Sequence, residues 1–122
     1  MEGYTAAASR TLRNIQGLDY DAAMDRFGDE EIYIEILSVF VSDTPHLLDE
    51  IRNVGQDGLT AYKVAVHGLK GSCRGISAEP LAKRAEALEH EAGAGNYEYV
   101  KAHNADFISG VEKLIYDLTA VV

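Results

Sequence analysis

Cysteine occurs once in the 122 residues, as Cys73. No internal disulfide can form, which fits a reducing compartment. Basic residues are also scarce: eleven Lys and Arg face twenty Asp and Glu, a formal charge of −9. Nucleic-acid binders present basic surfaces, so that class is set aside; the acidic balance suits a soluble protein that discourages unwanted partners. Long apolar runs are missing as well. The longest, around residues 32–41, is broken by Glu35, and nothing here is expected to span a bilayer. Met1-Glu2-Gly3-Tyr4 carries neither a basic n-region nor an apolar h-region, so no secretory signal is expected. The location expected from these absences is cytoplasmic.

Internal repeats, low-complexity tracts and Pro/Ser-rich linkers are absent too. Hydrophobic residues nevertheless make up 47% of the chain, enough for a folded globule, and the length suits a single domain over residues 1–122. No segment alternates at period two, while helical spacing recurs nearly throughout. A first helix is expected over Tyr4–Ile15 with Gly17 beyond its end, and a short one over Tyr20–Phe27 with Asp19 as N-cap and Gly28 after it. After Asp29, a seam of Tyr33, Leu37, Phe40, Thr44, Leu47 and Ile51 continues across Pro45. One long helix kinked near residues 42–44 is preferred to a fresh start capped by Thr44. Leu59, Tyr62, Val66, Leu69, Cys73 and Ile76 form the next seam. Ser77 is then expected to cap a helix from Ala78, with Pro80 in its first turn, Leu81, Ala85 and Leu88 inside, and Gly93-Ala94-Gly95 at its end. Asn96 should cap the last helix, whose seam is Val100, Phe107, Val111, Leu114, Leu118 and Val121. The expected fold is all-α: an antiparallel four-helix bundle with a short N-terminal helical extension.

The most informative stretch is His67-Gly68-Leu69-Lys70-Gly71-Ser72. At about 100° per residue, Lys63, Lys70, Gly71 and Arg74 project within roughly 60° of His67, well away from the apolar seam. The stripe therefore offers an outward imidazole, nearby cations and a position without a side chain. A third face carries Ala61, Ala65, Gly68, Ser72 and Gly75, as if a neighbouring helix packed closely there. Each glycine inside a helix costs about 1 kcal/mol relative to alanine. Close packing accounts for Gly68 and Gly75, whereas Gly71 on the outer stripe is better explained as a landing area for another protein.

Neutral imidazole has a free lone pair and an ordinary pKa near ~6.5, so it can attack a phosphoryl group. Lys70, one turn on, can donate charge-assisted hydrogen bonds to the product. The sequence has no Walker lysine loop, no glycine-rich ATP lid and no carboxylate cluster suited to magnesium. No cofactor is expected on this chain; the metal and the rest of the site should come with a partner. A di-iron bundle needs paired Glu-x-x-His motifs, and His46, His67, His90 and His103 do not supply them, so no metal site is expected. His46, His90 and His103 lack the companions of His67 and are read as ordinary surface residues. Cys73 is read as a small buried hydrophobe.

His67-Gly68-Leu69-Lys70-Gly71-Ser72, followed by Gly75, Ala78, Leu81 and Glu86-Ala87-Leu88-Glu89, resembles the histidine-containing phosphotransfer (HPt) domain family. Gly17-Leu18-Asp19, Arg26-Phe27-Gly28, Tyr33 and residues 37–40 extend the likeness over nearly the whole chain. The resemblance implies a phosphorelay carrier, not an independent enzyme. It implies that His67 accepts a phosphoryl group from a receiver-domain aspartate and passes it to another receiver, that Lys70 steadies it, and that Gly71 keeps the approach clear. Lys63 and Arg74, on the same stripe as Gly71, are expected to form the docking surface with it. The implied partners are response-regulator receiver domains, which bring Mg2+, and a sensor or hybrid histidine kinase; a monomer suffices, with no nucleic acid or membrane involved. Gly68 after the histidine and Arg74-Gly75-Ile76-Ser77 depart from the usual family pattern and bear on partner choice. Two other readings stand beside this one: a detached donor module phosphorylated directly by a histidine kinase, and a non-catalytic helical adaptor.

Overall fold

Asp19, Asp29 and Asn96 each start a helix by turning a side-chain oxygen onto an amide of the first turn. The computed structural model describes residues 2–122, with side chains from residue 7 onward. Among the described residues there are six α-helices and no strand: α1 (Glu2–Arg13), α2 (Tyr20–Phe27), α3 (Glu30–Ile51), α4 (Leu59–Gly75), α5 (Glu79–Gly93) and α6 (Tyr97–Leu118). A 3₁₀ turn over Gln56–Gly58 leads into α4. Asp19 accepts from the Ala22 amide at 3.0 Å, Asp29 from Glu31 at 2.8 Å and Asn96 from Tyr99 at 3.2 Å, satisfying donors that a helix start leaves free. Gly28 closes α2 with φ +72°, a backbone region that glycine enters without penalty.

α3 runs unbroken through Pro45. The proline is exposed, and the buried seam keeps its register across it. That seam ends Thr44, Leu48, Ile51 instead of passing through Leu47, which is only partly buried. The correction is one position: residues 47 and 48 both lie one turn from Thr44 and Ile51, so spacing alone does not separate them, and it is Leu48 that is fully buried while Leu47 packs at the edge of the core. α1 ends at Arg13, two residues before the expected Ile15, and the side chains of residues 4–6 in its expected span lie outside those described. α6 ends at Leu118, and Val121 reaches the core from beyond the helix.

Ser77 does not cap α5. Its φ is +64° and its hydroxyl finds no partner among the described residues; it serves instead as the left-handed residue that closes α4. Ala78 occupies the N-cap of α5, and the helix starts at Glu79 with Pro80 in its first turn.

α3 packs on α4 and α6, and α5 packs on the same two helices, so the four form a closed ring with α2 lying on α3. The core between them is built from the predicted seams. Tyr33, Leu37, Val66, Leu69, Val100 and Phe107 are almost completely buried, each large side chain contributing about 1.5–3 kcal/mol. Polar residues are buried with them, Thr44, Ser77 and Asn104 among the described residues. Asn104 donates to the Ile51 carbonyl at 2.7 Å and accepts from the Tyr62 hydroxyl at 2.9 Å, tying α6 to the end of α3 and to α4.

Candidate functional site

Because Val66, Leu69 and Cys73 turn inward, the helical period sends His67 outward; its side chain is 67% exposed. It is not isolated there. Glu89, on α5 next to buried Leu88, reaches across to α4. Its Oε2 lies 2.6 Å from His67 Nδ1, and its Oε1 lies 2.7 Å from Lys70 Nζ. Lys70 and Glu89 are largely withdrawn from solvent, at 20% and 17% exposure.

Charge settles the hydrogen-bond roles. The Lys70 ammonium, more than any other group, holds the Glu89 carboxyl below its ordinary value; partial burial opposes this, and His67 adds to it. Glu89 is therefore ionised at neutral pH and can only accept. In the neutral ring Nδ1 must then carry the proton and donate it, which leaves Nε2 as the nitrogen with a free lone pair. Lys70 reaches His67 through this shared carboxylate. Sequence spacing could not supply Glu89: it stands 22 positions from His67 on another helix. Its place beside the inward-facing Leu88 was the one available sign that it sits at the edge of the core.

The surroundings differ from the expected basic stripe. Arg74 is held by Glu79, with Nη2 to Oε2 at 2.9 Å and Nε at 3.1 and 3.2 Å, and lies 3.9 Å from Glu86. This pairing raises the guanidinium's own pKa and lowers that of the Glu79 carboxyl. Lys63 lies along Gly93, and together they line a hollow with Glu86, Glu89 and His90. α5 thus sets carboxylates against the cations of α4, so the face is charge-balanced rather than basic. The expectation of a close helix contact at Gly68 and Gly75 also fails: a Cβ placed on Gly68, Gly71 or Gly75 meets nothing within 4 Å. With Val64, 70% exposed, these glycines form one open stripe at spacings of four, three and four. Beside it, a groove of about 300 Å³ between α3 and α4 is lined by Phe27, Ile36, Val39, Leu47, Ser72 and Gly75.

His46, His90 and His103 are all exposed, and His103 rests against the Tyr99 ring at 4.2 Å. Burial pushes the Cys73 thiol up to about 12. Among the described residues, no group of three or more His, Cys, Asp or Glu is arranged to hold a metal ion. No helix among them is long and apolar enough to cross a membrane.

Comparison with known families adds one finding. The family model described as Hpt domain matches residues 35–120, a stretch that includes His67, Lys70, Gly71 and Glu89. No curated protein and no solved structure matches the chain.

Proposed function

The chain belongs to the Hpt domain family, the phosphotransfer modules of two-component signalling that interact with receiver domains and histidine kinases, and from that premise we propose that His67 is the phosphoryl acceptor. The observation that carries the assignment is the 2.6 Å contact between His67 Nδ1 and Glu89, which leaves Nε2 on an outward side chain as the nucleophile. The Nε2 lone pair attacks the phosphorus of a receiver's aspartyl phosphate. The P–N bond forms as the bond from phosphorus to the aspartyl oxygen breaks, and the aspartate leaves with the electron pair as a carboxylate. The imidazole acquires positive charge while Nδ1 keeps its proton, and that charge develops facing Glu89. Lys70 holds the Glu89 carboxylate on one side and supports the phosphoryl oxygens on the other.

Docking uses the open stripe of Gly68, Gly71 and Gly75 with the neighbouring groove, while Lys63, lining the hollow beside Glu86 and Glu89, and Arg74, paired with Glu79, tune which receivers fit. The carrier is, in this reading, not an enzyme on its own and needs no cofactor, and the magnesium ion comes with the receiver. In this reading α3–α6 form an antiparallel four-helix bundle, and the protein works as a cytoplasmic monomer that passes the group from one receiver to another. In-line positioning supplies much of the rate gain.

The test is His67→Gln. It should fold as the parent does and take no label from a phosphorylated receiver; labelling equal to the parent's refutes the assignment. Incubating the parent with a histidine kinase in the absence of any receiver separates a direct donor module from a relay carrier. Partner binding that is indifferent to His67 would favour a non-catalytic adaptor.

A further inference from the structure

α4 ends on a left-handed residue that is not glycine, and the carbonyls there find their donors elsewhere in the chain. Ser77 is 5% exposed, with φ +64° and a hydroxyl that finds no partner among the described residues. Local bonds close the turn, among them the Ala78 amide to the Cys73 carbonyl at 2.8 Å, the Ser77 amide to the Arg74 carbonyl at 3.1 Å and the Ile76 amide to the Ser72 carbonyl at 3.3 Å. Further donors come from residues 19–33. Arg26 Nη1 donates to the carbonyls of Arg74 at 3.1 Å and Gly75 at 3.0 Å. Tyr33 Oη donates to Ile76 at 2.7 Å, and the Asp19 amide donates to Ser77 at 2.9 Å. The guanidinium also brings positive charge to the negative end of the helix dipole. Tyr33 is fixed in turn, stacked on Phe27 at 5.8 Å and edge-on to Tyr20 at 6.5 Å.

All of residues 19–33 precede the matched stretch, which begins at residue 35. Yet this segment builds one end of the groove beside the acceptor helix, since Phe27, Gly75 and Ile76 line it. We propose that residues 19–33 act as a clasp on the last turn of α4, with Arg26 and Tyr33 as positioning residues that hold the Gly71–Gly75 face in shape for a docking receiver. The clasp stands on geometry alone; its effect on docking rests on the phosphotransfer reading above.

The experiment compares Arg26→Met, Arg26→Lys and Tyr33→Phe by amide hydrogen exchange and by phosphotransfer from a receiver at varied concentration. Phosphoramidate, a small donor that needs no docking, serves as control. Losing one such hydrogen bond should speed exchange at Ser77 and Ala78 about tenfold, with Val66 and Leu69 unchanged. The half-saturating receiver concentration should rise severalfold in Arg26→Met while phosphoramidate labelling holds, and Arg26→Lys should recover most of the loss. Unchanged exchange overturns the clasp. Faster exchange with unchanged half-saturation overturns the positioning role. A parent protein that neither donor labels defeats the phosphotransfer reading instead, and the exchange data still decide the clasp. Arg26 is exposed, so its variants keep the test intact if Tyr33→Phe fails to fold.

Discussion

Glu89 and His67 stand 2.6 Å apart across α4 and α5, and the same carboxylate takes Lys70 at 2.7 Å. Removing it should change the chemistry of the ring more than the fold. In Glu89→Ala, Nδ1 loses its acceptor and the imidazole loses both its tautomer preference and its orientation. Transfer from a receiver should fall by about tenfold to hundredfold, with helix content unchanged; imidazole nitrogen chemical shifts should show the two tautomers mixing. The pH dependence has a fixed sign. Lys70 first, and His67 after it, depress the Glu89 carboxyl below its ordinary 4.5, so whatever the contact contributes is fully present above that value. It is lost only as pH falls through the depressed value. An imidazole that shows no preference for the Nδ1–H tautomer at neutral pH, where Glu89 is ionised, would contradict this order.

The open stripe makes a prediction in which stability and docking move apart. Gly68 and Gly71 have free space over the Cα and ordinary helical backbone. Gly68→Ala and Gly71→Ala should therefore each stabilise the fold by about 1 kcal/mol, measured by chemical denaturation. Leucine at either position should also fold, yet should raise the receiver concentration needed for half-maximal transfer. A loss of stability in Gly68→Ala would mean that this face is packed, as the sequence alone suggests for Gly68, and a loss in Gly71→Ala would count against the open landing area.

What the sequence made legible was whatever depends on spacing along one helix. The seams of α3, α4 and α6, the caps at Asp19, Asp29 and Asn96, and the outward turn of His67 all follow from a period of 3.6 residues and from local hydrogen bonding. Contacts between helices were not legible in that way. Glu89 meets His67 because α5 returns alongside α4, and the side chains of α5 likewise neutralise Arg74. Gly68 and Gly75 suit close packing by their size, and only the position of neighbouring helices shows that nothing packs there. Ser77 misleads for a different reason: serine is a common N-cap, and a left-handed C-terminal residue is usually glycine.

Asn104 left a trace that could have been read. The seam of α6 passes from Val100 to Phe107, and the skipped inward position between them is residue 104. Asn104→Leu should keep the volume roughly filled while stranding the Tyr62 hydroxyl and the Ile51 carbonyl, both now bonded to it. An unsatisfied buried group costs about 1–3 kcal/mol, so urea denaturation should show a loss of at least about 2 kcal/mol. Adding Tyr62→Phe should recover part of that loss, because it removes one stranded group. Additive losses in the double variant would mean that Asn104 and Tyr62 do not share a bond.

Ser77 offers a stabilising change. A left-handed backbone costs a non-glycine residue about 1–2 kcal/mol, and the buried hydroxyl, which finds no partner among the described residues, adds a desolvation cost. Ser77→Gly removes both, against an unfolded-state entropy gain that offsets about 0.4–1 kcal/mol. The net expectation is a stabilisation of about 1 kcal/mol in chemical denaturation. Ser77→Ala removes only the hydroxyl and keeps the strained backbone, so it should gain less, and Ser77→Val should lose stability because β-branching is poorly tolerated at positive φ. The ordering Gly, Ala, Ser, Val is the discriminating result. If alanine matched or exceeded glycine, the hydroxyl and not the backbone would be the source of the cost, and the left-handed close of α4 would carry no strain for the clasp to oppose.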